Sequence, residues 1–557
     1  MKRRTYQVLF SVFICAVLVL FHGTVGYGQD SRAARWNEDI DYVIRHLEIM
    51  HPNLYANISR EIFLGYAAQL KQKIPTSTDV EMISGIQELI ARIRNTHTLC
   101  RPLIYVNFLE ELKGQFQYYP VYYYPFEDGL YVVAAAERHR GILGKKVVKI
   151  GMLTTEQAIN GLARFVAGDN QMAILGNIPR FFLNDAQLLR HIGAGNSPEK
   201  ILLTLTTDDG STSETEIEAV SPSGLSSANI LSSRAETKNP TPLYLRNQRD
   251  NYWFEFLPGQ EALYLQINLM NHKASEPFGV FCKRLFDTLD AKGARKLIID
   301  VRSCPGGDHI ELPLLKGILA RPHIDRSDCL FLVIGRITGS AAEHLTAELK
   351  RYTNATLFGE PTGSKPNQYG AMQQFVLPNS RLEISCATKY FQDAEPSDYS
   401  MTSEPDIFVP RTWGNYRDNR DPVLERIASY DSYKQLRPEF FTAMSEAYAK
   451  GGTANLKQVY SSLKEKYERY GFNLETLLYR DLDSWIGNNQ KSENDYIEFL
   501  KFIHTELPNS IPATYDLAYW MDKTGKKEEA KELYKRCIQL NPEHHHAKMR
   551  LGLIESD

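Results

Sequence analysis

The sequence predicts an α/β protein whose central third holds a mainly parallel sheet, with helical segments at both ends. Three observations predict it. Between residues 250 and 430, strand-like and helix-like stretches alternate, as βα units do. Within that region KLIIDVR (296–302) and CLFLVIGR (329–336) are continuous apolar runs, the pattern of strands buried on both faces. Residues 34–95 and 433–557 instead read as helices.

The 557 residues carry a formal charge of −3 and are 43% hydrophobic. That length suggests roughly three to four domains, each able to bury a core. The near-neutral balance gives no electrostatic case for nucleic acid. At the start, Lys2, Arg3 and Arg4 precede an apolar run over 8–21 and then GTVGYGQ. This is the layout of a secretory signal, with cleavage after Gly26 or Gly28. The run is shorter than the ~20 residues of a spanning helix. The mature chain is therefore expected to be exported, periplasmic or extracellular, and membrane-associated if the signal is retained. Cys15 lies inside the run without the small residues that precede a lipid-modified cysteine. The other six cysteines form no C-x-x-C pair, and buried free thiols are the simplest reading.

Along the mature chain, Trp36, Ile40, Val43, Ile44 and Leu47 form a helical stripe, and a second stripe from Met82 to Ile93 stops at Asn95. His97 sits just beyond. FQYYPVYYYPF, GLYVVAAA and KKVVKIG read as strands, with the tyrosines at 118, 119 and 122–124 as strand core and edge. A helix is expected around 155–166, then a hairpin turning at Asp208-Asp209-Gly210. Residues 221–242, rich in Ser, Pro and Asn, read as a linker or long loop. ALYLQINLM is a strand, EPFGVFCKRLFDTLDAKG a helix ending at Gly293, CPGGD a loop, SAAEHLTAELKRYT a helix, and ATLFGEPTG resumes the sheet. Near the end, Leu517, Ala518, Gly525, Ala530, Tyr534 and Pro542 have the spacing of one 34-residue tetratricopeptide (TPR-like) unit. The boundaries this gives are 1–28 (signal), 29–115 (helical), 116–222 (β-rich), 223–245 (linker), 246–430 (α/β) and 431–557 (helical).

Candidate chemistry centres on GRITGSAAEHL, 335–345. Ser340 and Glu343 have the S-x-x-E spacing of a helix capping box. A serine on a strand-to-helix turn is also where hydrolases present an attacking oxygen. In open α/β sheets, sites form where strand C-termini meet loops, and both RSCPGGD and ITGS lie there. A nucleophile needs a base and oxyanion donors. Gly306 or Gly307 can turn a backbone N–H into a site, and the Ala341 N–H at a helix start is unpaired. Asp308 and His309 either line the pocket or begin a helix, the simpler reading. His344, one turn after Ser340, is a further candidate base, with a helix-surface histidine as the simpler reading. His544, His545 and His546 point in different directions at helical spacing, and nothing completes a metal site around them.

KLIIDVRSCPGGD, VIGRITGSAAEH, GEPTGSKPNQYG, FVLPNSRLEIS and SEPDIFVP occur in the order found in the tail-specific (C-terminal processing) serine proteases. NTHTL, after a helical N-terminal region, also looks like that family's His-Thr segment, and the resemblance spans roughly 36–425. It is nearer the branch of the tricorn-core peptidases and retinoid-binding repeat proteins. The resemblance implies a crotonase-like (ClpP-like) α/β catalytic domain, a reduced PDZ-like region within 143–220, and an exported serine endopeptidase acting on protein or peptide substrates without a cofactor. Ser340 matches the nucleophile. His97 matches the tricorn-branch base, and an imidazole near pKa 6.5 suits that task. Lys365 falls where the processing branch keeps a lysine base, although GSKPNQYG departs from that branch's glycine pattern, and a lysine would need burial to serve. Asp398 is the nearest match for the orienting acid, with Glu395 and Asp393 as rivals. Retinoid-binding relatives also allow an inactive peptide- or ligand-binding protein on the same scaffold, with the helical C-terminus as a protein-binding surface.

Overall fold

The structure, a computed structural model, describes residues 27–100, 115–206, 210–234 and 239–556. Most of the expected signal and the Asp208-Asp209 turn lie outside the described residues. Among the described residues, no helix is long and apolar enough to cross a membrane.

Three helices open the described chain: Tyr27–Met50, Arg60–Lys73 and Asp79–Ala91. The third begins with a complete capping box from Thr78 and Glu81. It ends at Ala91, short of the expected Asn95, and Arg94 turns the chain with φ 54°. The two-residue strand β1 (Leu99–Cys100) follows.

A β-rich region comes next: β2 (Val121–Phe126), β3 (Gly129–Ala136), β4 (Lys146–Ile150), β5 (Leu153–Thr154), β6 (Lys200–Thr206), β7 (Thr212–Glu218) and β8 (Ile230–Ser232). Its order is β2-β3-β4-β6-β7, with β5 on β4 and β8 on β3. The expected helix is Thr155–Ala163, and two unexpected ones, Gln171–Phe181 and Ala186–His191, join its core. The supposed linker is also partly structured. Residues Pro222–Ser227 form a helix and β8 pairs with β3, because Ile230 and Leu231 give the stretch enough apolar character to join the sheet edge.

The central sheet comprises β9 (Tyr252–Leu257), β10 (Ala262–Ile267), β11 (Lys296–Asp300), β12 (Leu330–Ile334) and β13 (Thr356–Gly359). After it come a long hairpin, β14 (Asn367–Val376) and β15 (Glu383–Gln392), and then β16 (Ile407–Phe408). The order is β16-β13-β12-β11-β10-β9, parallel except for the antiparallel edge strand β9.

Alternation along these strands explains their unbroken apolar letters. Tyr264, Ile298, Phe331, Val333 and Phe358 face one core, while Leu265, Leu297, Ile299, Leu332 and Leu357 face the other. The second face is covered by helices Phe278–Lys292, Leu312–Leu319 and Ala341–Tyr352. The first is continuous with the C-terminal helices, from Tyr430 through Phe440, Tyr460 and Phe502 to Tyr534. Those helices include Leu436–Arg469, kinked at Gly451 and Gly452, and Glu493–Glu506, Ile511–Lys523, Lys527–Leu540 and His545–Ser556.

The hairpin departs from the central sheet and pairs with β1 in the order β1-β15-β14. Leu377, Leu382, Ile384 and Cys386 of this excursion share a core with the N-terminal helices. It is this hairpin that carries the His97 segment to the sheet. The six described cysteines are all free, and five of them are buried.

Candidate active site

β12 ends at Ile334, and the chain turns sharply before the helix Ala341–Tyr352. Thr338 pins that turn: its hydroxyl donates to the Val301 carbonyl at 2.8 Å and accepts from the Gly335 N–H at 3.0 Å. Ser340 sits at the apex with φ 50° and ψ −126°. A non-glycine residue held there costs on the order of 1–3 kcal/mol, which surrounding contacts must offset. Within the described residues its side chain makes no capping bond. Glu343 does not reciprocate either. It is fully buried and accepts from Ser403 Oγ at 2.5 Å, and burial pushes its carboxyl up to about 8. The capping reading of S-x-x-E therefore gives way to a strained strand-to-helix turn presenting a hydroxyl.

Backbone donors converge on the same point. Gly306 (φ 113°) lies directly against Ser340 and the Ala341 nitrogen. Gly307 (φ 138°) is clasped by Met270, which donates to the Gly306 carbonyl and accepts from Asp308 N–H, each at 2.8 Å. Among the described residues, the N–H groups of Gly307 and Ala341 have no backbone partner. The Ser340 N–H itself donates to Ser364 Oγ at 3.2 Å.

Ser340 and His97 line one cleft of about 610 Å³, together with Gly307, His309, His344 and Ser364. His97 is buried, and a β-carbon on Gly370 of β14 would stand 3.8 Å from its Cε1. Its segment is fixed on both sides. Asn95 donates to the Tyr369 carbonyl at 3.2 Å, Thr98 Oγ1 accepts from Ala387 N–H at 3.1 Å, and Thr96 Oγ1 accepts from Asp169 N–H at 3.0 Å. A second cavity of about 690 Å³, walled by Tyr122, Tyr123 and Tyr124, shares Arg180, Pro305, Arg336 and Ile337 with the cleft as lining residues.

Lys365 and Asp398 are placed elsewhere. The Lys365 ammonium is buried against Glu543, with Nζ 2.8 Å from Oε2, and Lys365 does not line the cleft. Held by that carboxylate and outside the cleft, Lys365 is not placed to take a proton from Ser340. Asp398 accepts from Ser400 N–H at 2.8 Å and borders a separate cavity with Tyr399 and Tyr515. Glu395 pairs with Arg351 at 2.8 Å.

Asp393 instead bonds His344 Nδ1. His344 is thus not a surface histidine: it is 2% exposed and packs against His309 and Phe391 inside the cleft. The helical period would have placed it beside Ser340, but the face covered by β15 is not visible in the letters. Asp308 and His309 also line the cleft rather than begin a helix, since Pro313 sets the helix start at Leu312. His309 is raised above its ordinary pKa by its hydrogen bond to Glu311. Burial, with Glu311 and Asp393 nearby, pushes Glu348 up to about 7.

His544 is buried beneath Tyr399 and Tyr515 and accepts the Ala547 N–H at 3.2 Å, so it starts a helix. Among the described residues, no three His, Cys, Asp or Glu side chains converge as a metal site.

No protein-family model matches the chain, and no curated protein sequence does. Solved structures do share its fold. Mature CPAF superposes with a TM-score of 0.51 at 12% identity, covering 72% of this chain and 97% of CPAF. A serine-to-alanine mutant of CPAF gives 0.53 at 12% identity, covering 72% and 98%. Mature CPAF complexed with lactacystin gives 0.50 at 11% identity, again covering 72% and 98%. Over about 72% of its length the chain thus shares the fold of CPAF.

Proposed function

We propose that this chain is an exported serine endopeptidase of the tail-specific protease type, hydrolysing peptide bonds in protein or peptide substrates. One observation carries the proposal: Ser340 is held in a strained turn, in a cleft shared with His97, beside N–H groups of Gly307 and Ala341 that have no backbone partner among the described residues. The lactacystin complex belongs to CPAF, and the shared fold lends this reading support only at the level of architecture.

In the proposed reaction, His97 takes the Ser340 Oγ proton as that oxygen attacks the scissile carbonyl. The oxyanion forms between the Gly307 and Ala341 amides, at the positive end of the helix Ala341–Tyr352, where negative charge is favoured. The imidazolium gives its proton to the leaving amine. Water, deprotonated by the same imidazole, then cleaves the acyl-enzyme and returns Ser340 to its hydroxyl form. The two neighbouring cavities suit an extended polypeptide: one holds the scissile bond, and the other is walled by the tyrosines of β2. On this reading the β-rich region acts as a PDZ-like substrate platform. The C-terminal helices act as a TPR-like protein-binding unit.

The test is hydrolysis of a quenched-fluorescent peptide library by the purified mature chain. The proposal expects turnover that falls to background in Ser340→Ala and by about 10²–10⁴-fold in His97→Ala. Undiminished turnover in Ser340→Ala would refute it.

A further inference from the structure

Glu543 lies more than two hundred positions beyond Ser340, in the loop that joins helices Lys527–Leu540 and His545–Ser556. It is 8% exposed, and each carboxylate oxygen takes a bond from a residue that touches a different segment leading into the active site. Oε2 accepts from Lys365 Nζ at 2.8 Å, and Lys365 directly follows Ser364, whose hydroxyl receives the Ser340 N–H at 3.2 Å. Oε1 accepts from Asn57 Nδ2 at 2.9 Å. The same Asn57 amide reaches the carbonyls of Ile93 and Arg94 at 3.3 and 3.4 Å, on the turn that leads into His97. Asn541 fixes the carboxylate's own loop: it accepts the Glu543 N–H at 2.9 Å and donates to the Tyr399 carbonyl at 2.8 Å. His544 stacks on the Tyr399 ring at 4.0 Å.

From this chain of contacts we infer that Glu543 is a positioning residue, through which the C-terminal helical region holds the Ser340 loop and the His97 loop in register. The inference rests on the peptidase reading for its catalytic consequence. Buried groups in such an arrangement tolerate little slack, because an ionic partner left alone in a low-dielectric setting moves towards water or another dipole. Either movement would separate hydroxyl from imidazole, and a misplacement near 1 Å costs on the order of 10²-fold in rate. The C-terminal helices would thereby belong to the catalytic device and not only to recruitment.

The test compares Glu543→Gln, Lys365→Met, their double variant and Asn57→Leu in the full mature chain. Peptide turnover, thermal unfolding and amide hydrogen exchange are read for each. Glu543→Gln is expected to lower kcat at least tenfold with KM within twofold, and to speed exchange in both 92–97 and 362–366. The double variant leaves no unpaired charge, so it should regain thermal stability while kcat stays low. Asn57→Leu should loosen 92–97 alone and still lower kcat, which keeps the inference testable if Glu543→Gln does not fold. Recovery of kcat together with stability in the double variant would overturn the inference, as would faster exchange confined to 541–546. Wild-type protein that turns over no peptide would count against the peptidase reading, and the exchange pattern would then decide the positioning inference by itself.

Discussion

Gly306 lies so close beneath Ser340 that a β-carbon on the glycine would stand 2.5 Å from the serine's own β-carbon. The same added atom would meet the Gly339 carbonyl at 2.8 Å and the Ala341 nitrogen at 2.9 Å. None of these neighbours is a flexible side-chain end, and a φ of 113° is itself strained for any L side chain. Gly306→Ala should therefore displace the oxyanion donors from the nucleophile. Losing one such donor costs about 10²–10³ in kcat. Steady-state peptide hydrolysis should show that loss, while circular dichroism stays close to wild type.

Glu343 makes stability depend on pH. Its carboxyl is raised from 4.5 to about 8 by burial on the helix that begins after Ser340. Between those values the folded chain keeps a proton that the unfolded chain has released. Stability must then fall as pH rises from 4.5 to about 8, and level off above, at about 1.4 kcal/mol per unit for this group. Glu343→Gln should remove that slope and be the more stable protein at pH 9, with the difference shrinking towards pH 5. Urea unfolding at the two pH values measures it, and equal slopes in both proteins would contradict the assignment.

Three histidines line the cleft with Ser340, and two of them, His97 and His344, should differ in importance. His344 is wedged between His309 and Phe391 with Nδ1 taken by Asp393, whereas His97 comes from the separate segment packed on Gly370. His344→Phe preserves the ring stack and should reduce kcat/KM less than tenfold. His97→Phe should reduce it at least a hundredfold, within the range for a general base. The reverse ranking would move the base role to the His344–Asp393 pair.

Arg302 lies two residues past the end of β11, on the turn that leads to the glycine loop. It is 5% exposed and sits between Asp300 and Asp421, with bonds of 2.9 and 3.0 Å to the latter. Arg302→Met would leave two buried carboxylates facing each other. Breaking a buried pair in this way costs about 3–5 kcal/mol. A matching fall in the urea midpoint is expected. The double variant Arg302→Met with Asp421→Leu should recover part of it.

The parts of this protein legible in its letters are those set by local pattern. β3 and the ends of the central strands follow from β-branched runs and turn residues, and the Gly293 stop is read correctly because a left-handed φ of 62° favours glycine. Ser340 is singled out by its place after a buried strand together with the family resemblance. Lys365 and Asp398, which the resemblance also offers, are decided by long-range contacts. The hairpin β14–β15 leaves the central sheet to pair with β1, which puts Asp393 on His344 and leaves Asp398 in another cavity. Lys365 is claimed by Glu543 from the far end of the chain. No spacing rule over a few residues can anticipate either contact. The edge strand β9 and the helix Leu312–Leu319 are hard to read for a different reason: the burial of β9 does not alternate, and the helix is short with no side-chain N-cap.

The most direct measurement is to treat the folded protein with a fluorophosphonate and locate the adduct by peptide mass spectrometry. A hydroxyl poised by an imidazole and amide donors should yield one adduct, on the tryptic peptide holding Ser340, lost when His97 is replaced by alanine. Modification spread over other serines, or a native protein that takes up no phosphonate, would mean the strained turn carries no nucleophile.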